Sequence, residues 1–192
     1  DGINIKLYLP YMDEITKHLI DFGYPSCEGN IMVSNPFWCK TVNDYKNEIA
    51  KWIEAPAIQN YMDLAIFFDS FAVAGNKELL INLKDDLFNK LHDKDVFLAY
   101  FAKATLLFDT PNIITNIINK SHYIDIKKAA IFPIVQGIRS LALREKIRET
   151  TTIKRIKILE DRKILEKEKV AELLEAFELV NTLRLKTQLE YI

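Results

Sequence analysis

Asp69 is the residue in this chain with the clearest claim to chemistry. It interrupts an apolar, aromatic run from Asp63 to Asn76, DLAIFFDSFAVAGN, which Gly75 and Asn76 close as a turn. An ionised carboxylate in such a run is costly to bury unless a cation or a metal answers it. A carboxylate so placed could help to hold Mg2+ for phosphoryl chemistry, although one acid alone does not make a metal site. Other chemistries find no support. There is no G-x-S-x-G, no P-loop and no H-E-x-x-H, and the three histidines, His18, His92 and His122, fall on separate elements. Cys27 and Cys39 match no zinc spacing and read as two free, reduced thiols.

A second stretch offers uncharged recognition groups. Residues 23–38 concentrate two of the five glycines and two of the six prolines, which predicts a shaped loop around a short strand, Ile31 to Val33. Gly29 and Asn30 let backbone come close to a ligand, and Asn30, Ser34 and Asn35 supply donors and acceptors. The same composition also suits a plain turn-strand-turn that binds nothing.

The elements that must position these residues are mostly helical. Leu7, Tyr11, Ile15, His18, Leu19 and Phe22 recur at three- and four-residue steps, with Pro10 in the first turn and Gly23 as the stop. Thr41 to Ile53 opens with Thr-x-x-Asp, a capping arrangement, and places Tyr45, Ile49, Trp52 and Ile53 on one face. The run around Asp69 predicts a buried strand. Asn76 then caps a helix to about His92, striped by Leu79, Leu80, Leu83, Leu87 and Leu91. Helices follow over 95–108, from Pro111 to Lys120, over 133–145, over 150–159 and over 168–190. In the 133–145 helix Val135, Arg139 and Ala142 adjoin, so a guanidinium shares the inward side.

Bulk properties bound the rest. The 192 residues carry 26 Lys+Arg against 27 Asp+Glu, a formal net charge of -1, so the chain as a whole exerts no long-range pull on nucleic acid or anionic membrane. Residues 139–169 hold eleven basic against six acidic side chains but interleave no aromatics, which suits a solvated helical face better than a nucleic-acid groove. No apolar run approaches the roughly 20 residues that span a bilayer, and the N-terminus lacks the parts of a signal peptide. A cytoplasmic setting is therefore expected. The opening at Asp1, with no Met, suggests a piece of something longer.

The run 22–38, FGYPSCEGNIMVSNPFW, resembles the C-G-[FY]-P-x-C-x-G-N-[VI]-M-A-S-N-P-x-W signature of a bacterial family classed as nucleotidyltransferases, found behind CBS and cyclic-nucleotide-binding domains in signal-transduction proteins. AIFFD at 65–69 with VAG at 73–75 is similar to that family's S-I-F-F-D-x-R-x-V-x-G-D. Ile124 to Lys127, Pro133 to Val135, Arg139, Ala142-Leu143, Thr152, Arg155, Leu183 to Leu185 and Gln188 resemble its C-terminal domain.

The resemblance implies an α+β, mostly helical fold: the C-terminal part of a nucleotidyltransferase palm with few strands over 1–92, then a substrate-binding or regulatory helical bundle over 93–192. It implies distant kinship with the uridylyltransferase of the PII protein and with glutamine synthetase adenylyltransferase. Such enzymes hold two Mg2+ ions on three carboxylates and pass a nucleoside monophosphate from ATP or UTP to a protein acceptor. Asp69 matches the third carboxylate and is the candidate catalytic and metal residue. Gly29, Asn30, Ser34, Gly75, Lys127 and Arg139 are the candidate nucleotide contacts. The first two acids belong to a G-S…D-x-D motif expected before Asp1, so the chain as given is expected to be inert. Phe71 stands where the family has Arg, and Asn76 where it has Asp. The alternative is a non-catalytic module that relays signals from upstream domains to a partner.

Overall fold

The computed structural model describes residues 4–55, 57–107 and 125–190. Among them are eight α-helices and no strand. The helix expected over Pro111 to Lys120, and His122, lie outside the described residues. The chain divides into two compact units, 1–50 and 51–192.

In the first unit a short 3₁₀ turn, Ile5–Leu7, leads into α1, Leu9–Asp21. Pro10 sits in the first turn of α1, and Gly23 follows it at φ 96, where only glycine turns without strain. The apolar stripe of α1 stays open: none of its residues is buried, and His18 faces Glu14 at 3.8 Å on the surface. The expected strand at Ile31 to Val33 is absent. Turns replace it, because the Asn35 amide donates to the Asn30 carbonyl at 2.8 Å and the Asn35 side-chain oxygen accepts from the Phe37 N–H at 2.9 Å. Within the expected strand itself, the Met32 carbonyl accepts the Asn35 N–H at 3.0 Å, a turn bond that takes up the group a strand partner would need. The predicted cap of α2, Val42–Glu54, is present: the Asp44 N–H reaches the Thr41 hydroxyl at 3.1 Å, and that hydroxyl donates to the Asp44 carboxylate at 2.7 Å.

The second unit holds α3, Ile58–Asp69; α4, Lys77–Lys90; α5, Asp95–Leu107; α6, Phe132–Arg144; α7, Thr152–Asp161; and α8, Lys167–Glu190. A π-helical turn, Lys127–Ile131, runs directly into α6. The run ending at Asp69 is therefore helical, not the predicted strand. Tyr61, Asp63, Leu64, Ala65, Phe67 and Phe68 are all buried, so α3 lacks the polar face that would have given it a helical period. Its apolar surface meets Phe97 and Phe101 of α5 through Tyr61, and Phe88 of α4 through Phe68. Asn76 caps α4 by accepting the Glu78 N–H at 3.0 Å.

The hub of this unit is α6, which packs against α5 and α7, while α8 returns against α7 and the π turn. Both α6 and α7 end in a left-handed residue, Lys146 at φ 53 and Lys163 at φ 58. The next N–H, of Ile147 or Ile164, then bonds back to Ala142 or Leu159. This is the Schellman stop, built here on lysine. The stop at Lys146 turns α7 back beside α6 and so brings Arg155 toward Asp69.

Candidate functional site

The end of α3 fixes the site. Ser70 leaves the helix in extended backbone at ψ 150, and its hydroxyl donates to the Phe67 carbonyl at 2.6 Å, so the helix stops at Asp69. The Asp69 carboxylate then meets two guanidiniums from distant elements. Arg139 of α6 donates through Nε at 2.8 Å and Nη2 at 2.5 Å to Oδ2, and Arg155 of α7 donates through Nη1 at 2.7 Å to Oδ1. Three helices are thus tied through one acid.

Exposure falls inward across the group. The Asp69 side chain is 27% exposed, Arg139 14% and Arg155 1%. Arg155 also donates through Nε to the Glu149 carbonyl at 2.5 Å and lies over the Phe68 ring at 4.5 Å, while its Nη2 is buried without a hydrogen-bond partner. Burial lowers the pKa of this guanidinium from its ordinary value, and Asp69 opposes the shift. The third arm of Arg139 reaches the Gln136 side-chain oxygen. Behind Arg139 a cavity of about 90 Å³ is lined by Tyr61, whose buried hydroxyl has no partner.

Two further groups adjoin the clamp. Lys84 of α4 is 5% exposed, donates to the Ser70 carbonyl at 2.6 Å, and is lowered to about 8 chiefly by burial, with Arg155 adding to the effect. Glu149 accepts the N–H groups of Thr150 and Thr151 at 2.7 and 3.0 Å, which anchors its carboxylate at the start of α7 and holds it down at about 2. Neither Lys84 nor Glu149 stood out from the sequence as a site residue. Lys84 did leave a signal, because it lies four residues after Leu80 and three before Leu87, on the buried stripe of α4.

Of the sequence candidates, Asp69 and Arg139 come together. Gly29, Asn30 and Ser34 lie in the first unit. Asn30 there adopts φ 52, and a Cβ at Gly29 would meet only ordinary contacts, the nearest to Ile31 at 3.5 Å. Gly75, at φ 79, turns the chain into α4, and Lys127 is an exposed residue at the start of the π turn.

Mg2+ does not fit the Asp69 site as it stands. Both carboxylate oxygens already accept from guanidinium N–H, and among the described residues no three acids, histidines or cysteines gather as a metal set. A metal role for Asp69 would require both arginines to let go.

No curated protein and no solved structure matches the chain. No described helix is long and apolar enough to cross a membrane. Residues 4–59 match the family described as "Putative nucleotidyltransferase DUF294", and residues 95–192 match the one described as "Putative nucleotidyltransferase substrate binding domain". The second match covers half of the sequence and takes in Arg139 and Arg155, so the chain belongs to this nucleotidyltransferase family and carries its substrate-binding domain.

Proposed function

We propose that this chain is the substrate-handling part of a nucleotidyltransferase, with residues 1–92 derived from the catalytic palm and 93–192 forming the substrate-binding bundle. The observation that carries the reading is the match of 95–192 to a nucleotidyltransferase substrate-binding domain, beside the separate match at 4–59. In the intact protein, a nucleoside monophosphate passes from ATP or UTP to a hydroxyl of a protein acceptor. A bond forms from that oxygen to the α-phosphorus, and pyrophosphate leaves. Regulatory CBS or cyclic-nucleotide-binding domains govern the transfer.

Within this reading Arg139 and Arg155 are positioning residues. Held by Asp69, they keep α6 and α7 in register with the end of α3, so the substrate-binding bundle is presented as one body. Lys127, exposed at the head of α6, is the cation offered to a phosphate, and Gly29, Asn30, Ser34 and Gly75 offer backbone or uncharged polar groups. No metal-assisted step follows from these residues, because Asp69 is occupied by guanidiniums.

The test is calorimetric titration of the intact protein with ATP and UTP, followed by transfer of radiolabel from the α-phosphate to protein. Lys127→Ala is expected to weaken nucleotide binding about fivefold or more, the size of one charge-assisted hydrogen bond. A protein that binds neither nucleotide and labels no partner overturns the reading. That result would favour the second one, a regulatory module without transfer activity, which the double-arginine clamp on Asp69 already suits.

A further inference from the structure

A cleft of about 270 Å³ opens at Ser70, lined by Phe71, Lys77, Lys84, Arg148, Glu149 and Thr150 among others. Its chemistry is unlike that of the 90 Å³ cavity, whose walls are largely apolar. Three cations line the cleft. Lys84 is buried, and its single hydrogen bond goes to the Ser70 carbonyl. Lys77 opens α4, and Arg148 is paired with Asp85 through Nε at 3.1 Å while remaining half in solvent. Glu149 is the opposing charge, and its Oε1 is turned onto the N–H groups of Thr150 and Thr151. Among the lining residues three cations, Lys77, Lys84 and Arg148, face one carboxylate, Glu149, so the cleft wall has two positive charges in excess; outside the lining Asp85 pairs with Arg148 and Lys154 lies 3.5 Å from Glu149, which leaves that excess unchanged. A buried ammonium beside unbalanced charge is electrostatically unfavourable until an anion arrives.

The rim adds a second requirement. Phe71 is 69% exposed and lines the same cleft. An aromatic face in water beside a cationic hollow recognises a ring joined to an anion, because stacking and phosphate contact then act together. Two unbalanced charges correspond to one phosphate monoester, which carries about −1.5 to −2 at neutral pH. The cleft lies just under the 300 to 1,000 Å³ typical of small-molecule sites, which suits a single phosphate with its sugar and a ring partly outside.

We infer that this cleft is a nucleoside monophosphate site, with Lys77, Lys84 and Arg148 on the phosphate and Phe71 under the base. The inference is independent of nucleotidyl transfer, because the same site could serve a module with no transfer activity. It also gives Phe71 a role: where the family pattern has a charged side chain, this chain offers a stacking surface.

The experiment is calorimetry on the full chain with AMP, UMP, ribose 5-phosphate and inorganic phosphate. AMP or UMP is expected to bind at least fivefold more tightly than ribose 5-phosphate. Phe71→Ala is expected to erase that margin and leave ribose 5-phosphate unchanged. The surface pair Lys77→Ala/Arg148→Ala is expected to weaken all four ligands at least tenfold, with circular dichroism confirming an intact fold. Absence of binding at millimolar AMP and UMP, or binding indifferent to the Lys77/Arg148 pair, overturns the site. Equal affinity for AMP, UMP and ribose 5-phosphate overturns the assignment to nucleotides. Activity with ATP or UTP does not enter this outcome.

Discussion

Replacing Asp69 with alanine leaves two guanidiniums facing each other with no acid between them. Arg139, 14% exposed, can swing toward water, but Arg155, 1% exposed, cannot, and it is left with a backbone carbonyl and the Phe68 ring. Breaking a buried ion pair by deleting one partner costs about 3 to 5 kcal/mol, because the surviving charge stays desolvated. Asp69 is itself 27% exposed, which places the expected loss near the lower end, about 3 kcal/mol. At about 2 to 4 °C per kcal/mol for a chain of this size, the melting temperature should fall by roughly 6 to 12 °C. Urea denaturation with a fixed m-value is the cleaner assay, since it separates stability from compactness. The double variant Asp69→Leu/Arg155→Met should recover much of the loss, because both charges leave together. An acid kept for holding a metal ion behaves differently, and its removal leaves stability unchanged or raises it. A loss below about 0.5 kcal/mol for Asp69→Ala would therefore refute the structural role argued for the clamp.

Lys84 predicts a pH dependence of definite sign. Its folded pKa, about 8, lies below the ordinary 10.5, so between these values the unfolded chain binds more protons and stability rises with pH. Asp69, Glu149 and Arg155 are the charges around it. Relative to Lys84→Met, the wild type should gain up to about 3 kcal/mol from pH 8 to about pH 10.5 by chemical denaturation, and a flat difference would contradict the burial argument. Glu149 gives a slope of the same sign at the acid end. Its carboxyl, held down at about 2 by the Thr151 and Thr150 N–H groups, contributes stability above pH 4.5 that is lost as pH falls toward 2. Glu149→Ala should cost about 1 kcal/mol at neutral pH, as for a lost N-cap, and should abolish that acid-side slope in thermal melts.

How much of this was legible in the sequence depended on whether an element keeps a polar face. The helix α4 does, and its Asn76 cap and the Leu83, Leu87 and Leu91 part of its stripe could be read directly, whereas Leu79 faces solvent. The helix α3 does not: with Leu64 and Phe68 fully buried and Tyr61, Asp63, Ala65 and Phe67 nearly so, its apolar run looks the same as a buried strand. The missing strand at Ile31 to Val33 turned on Asn35, whose N–H closes a turn on the Met32 carbonyl and whose side chain ties the flanking backbone, which periodicity does not register. For the site, an acid needing a partner at Asp69 and a guanidinium on the inward side at Arg139 were both readable. Their pairing across seventy residues was not, since it depends on how α3 and α6 each pack against α5, and the approach of Arg155 depends on the lysine-built stop at Lys146 that turns α7 back. The stripe of α1 shows the converse: its spacing was read correctly, yet none of its residues is buried.

The most direct test of the claim that Asp69 anchors arginines is a crystal of the chain soaked in Mn2+, a stand-in for Mg2+ with anomalous signal. Both guanidiniums are expected to remain on the carboxylate, with no anomalous peak beside it. A peak within about 2.5 Å of an Asp69 oxygen, with Arg139 and Arg155 displaced, would contradict it and return Asp69 to the role of a metal ligand.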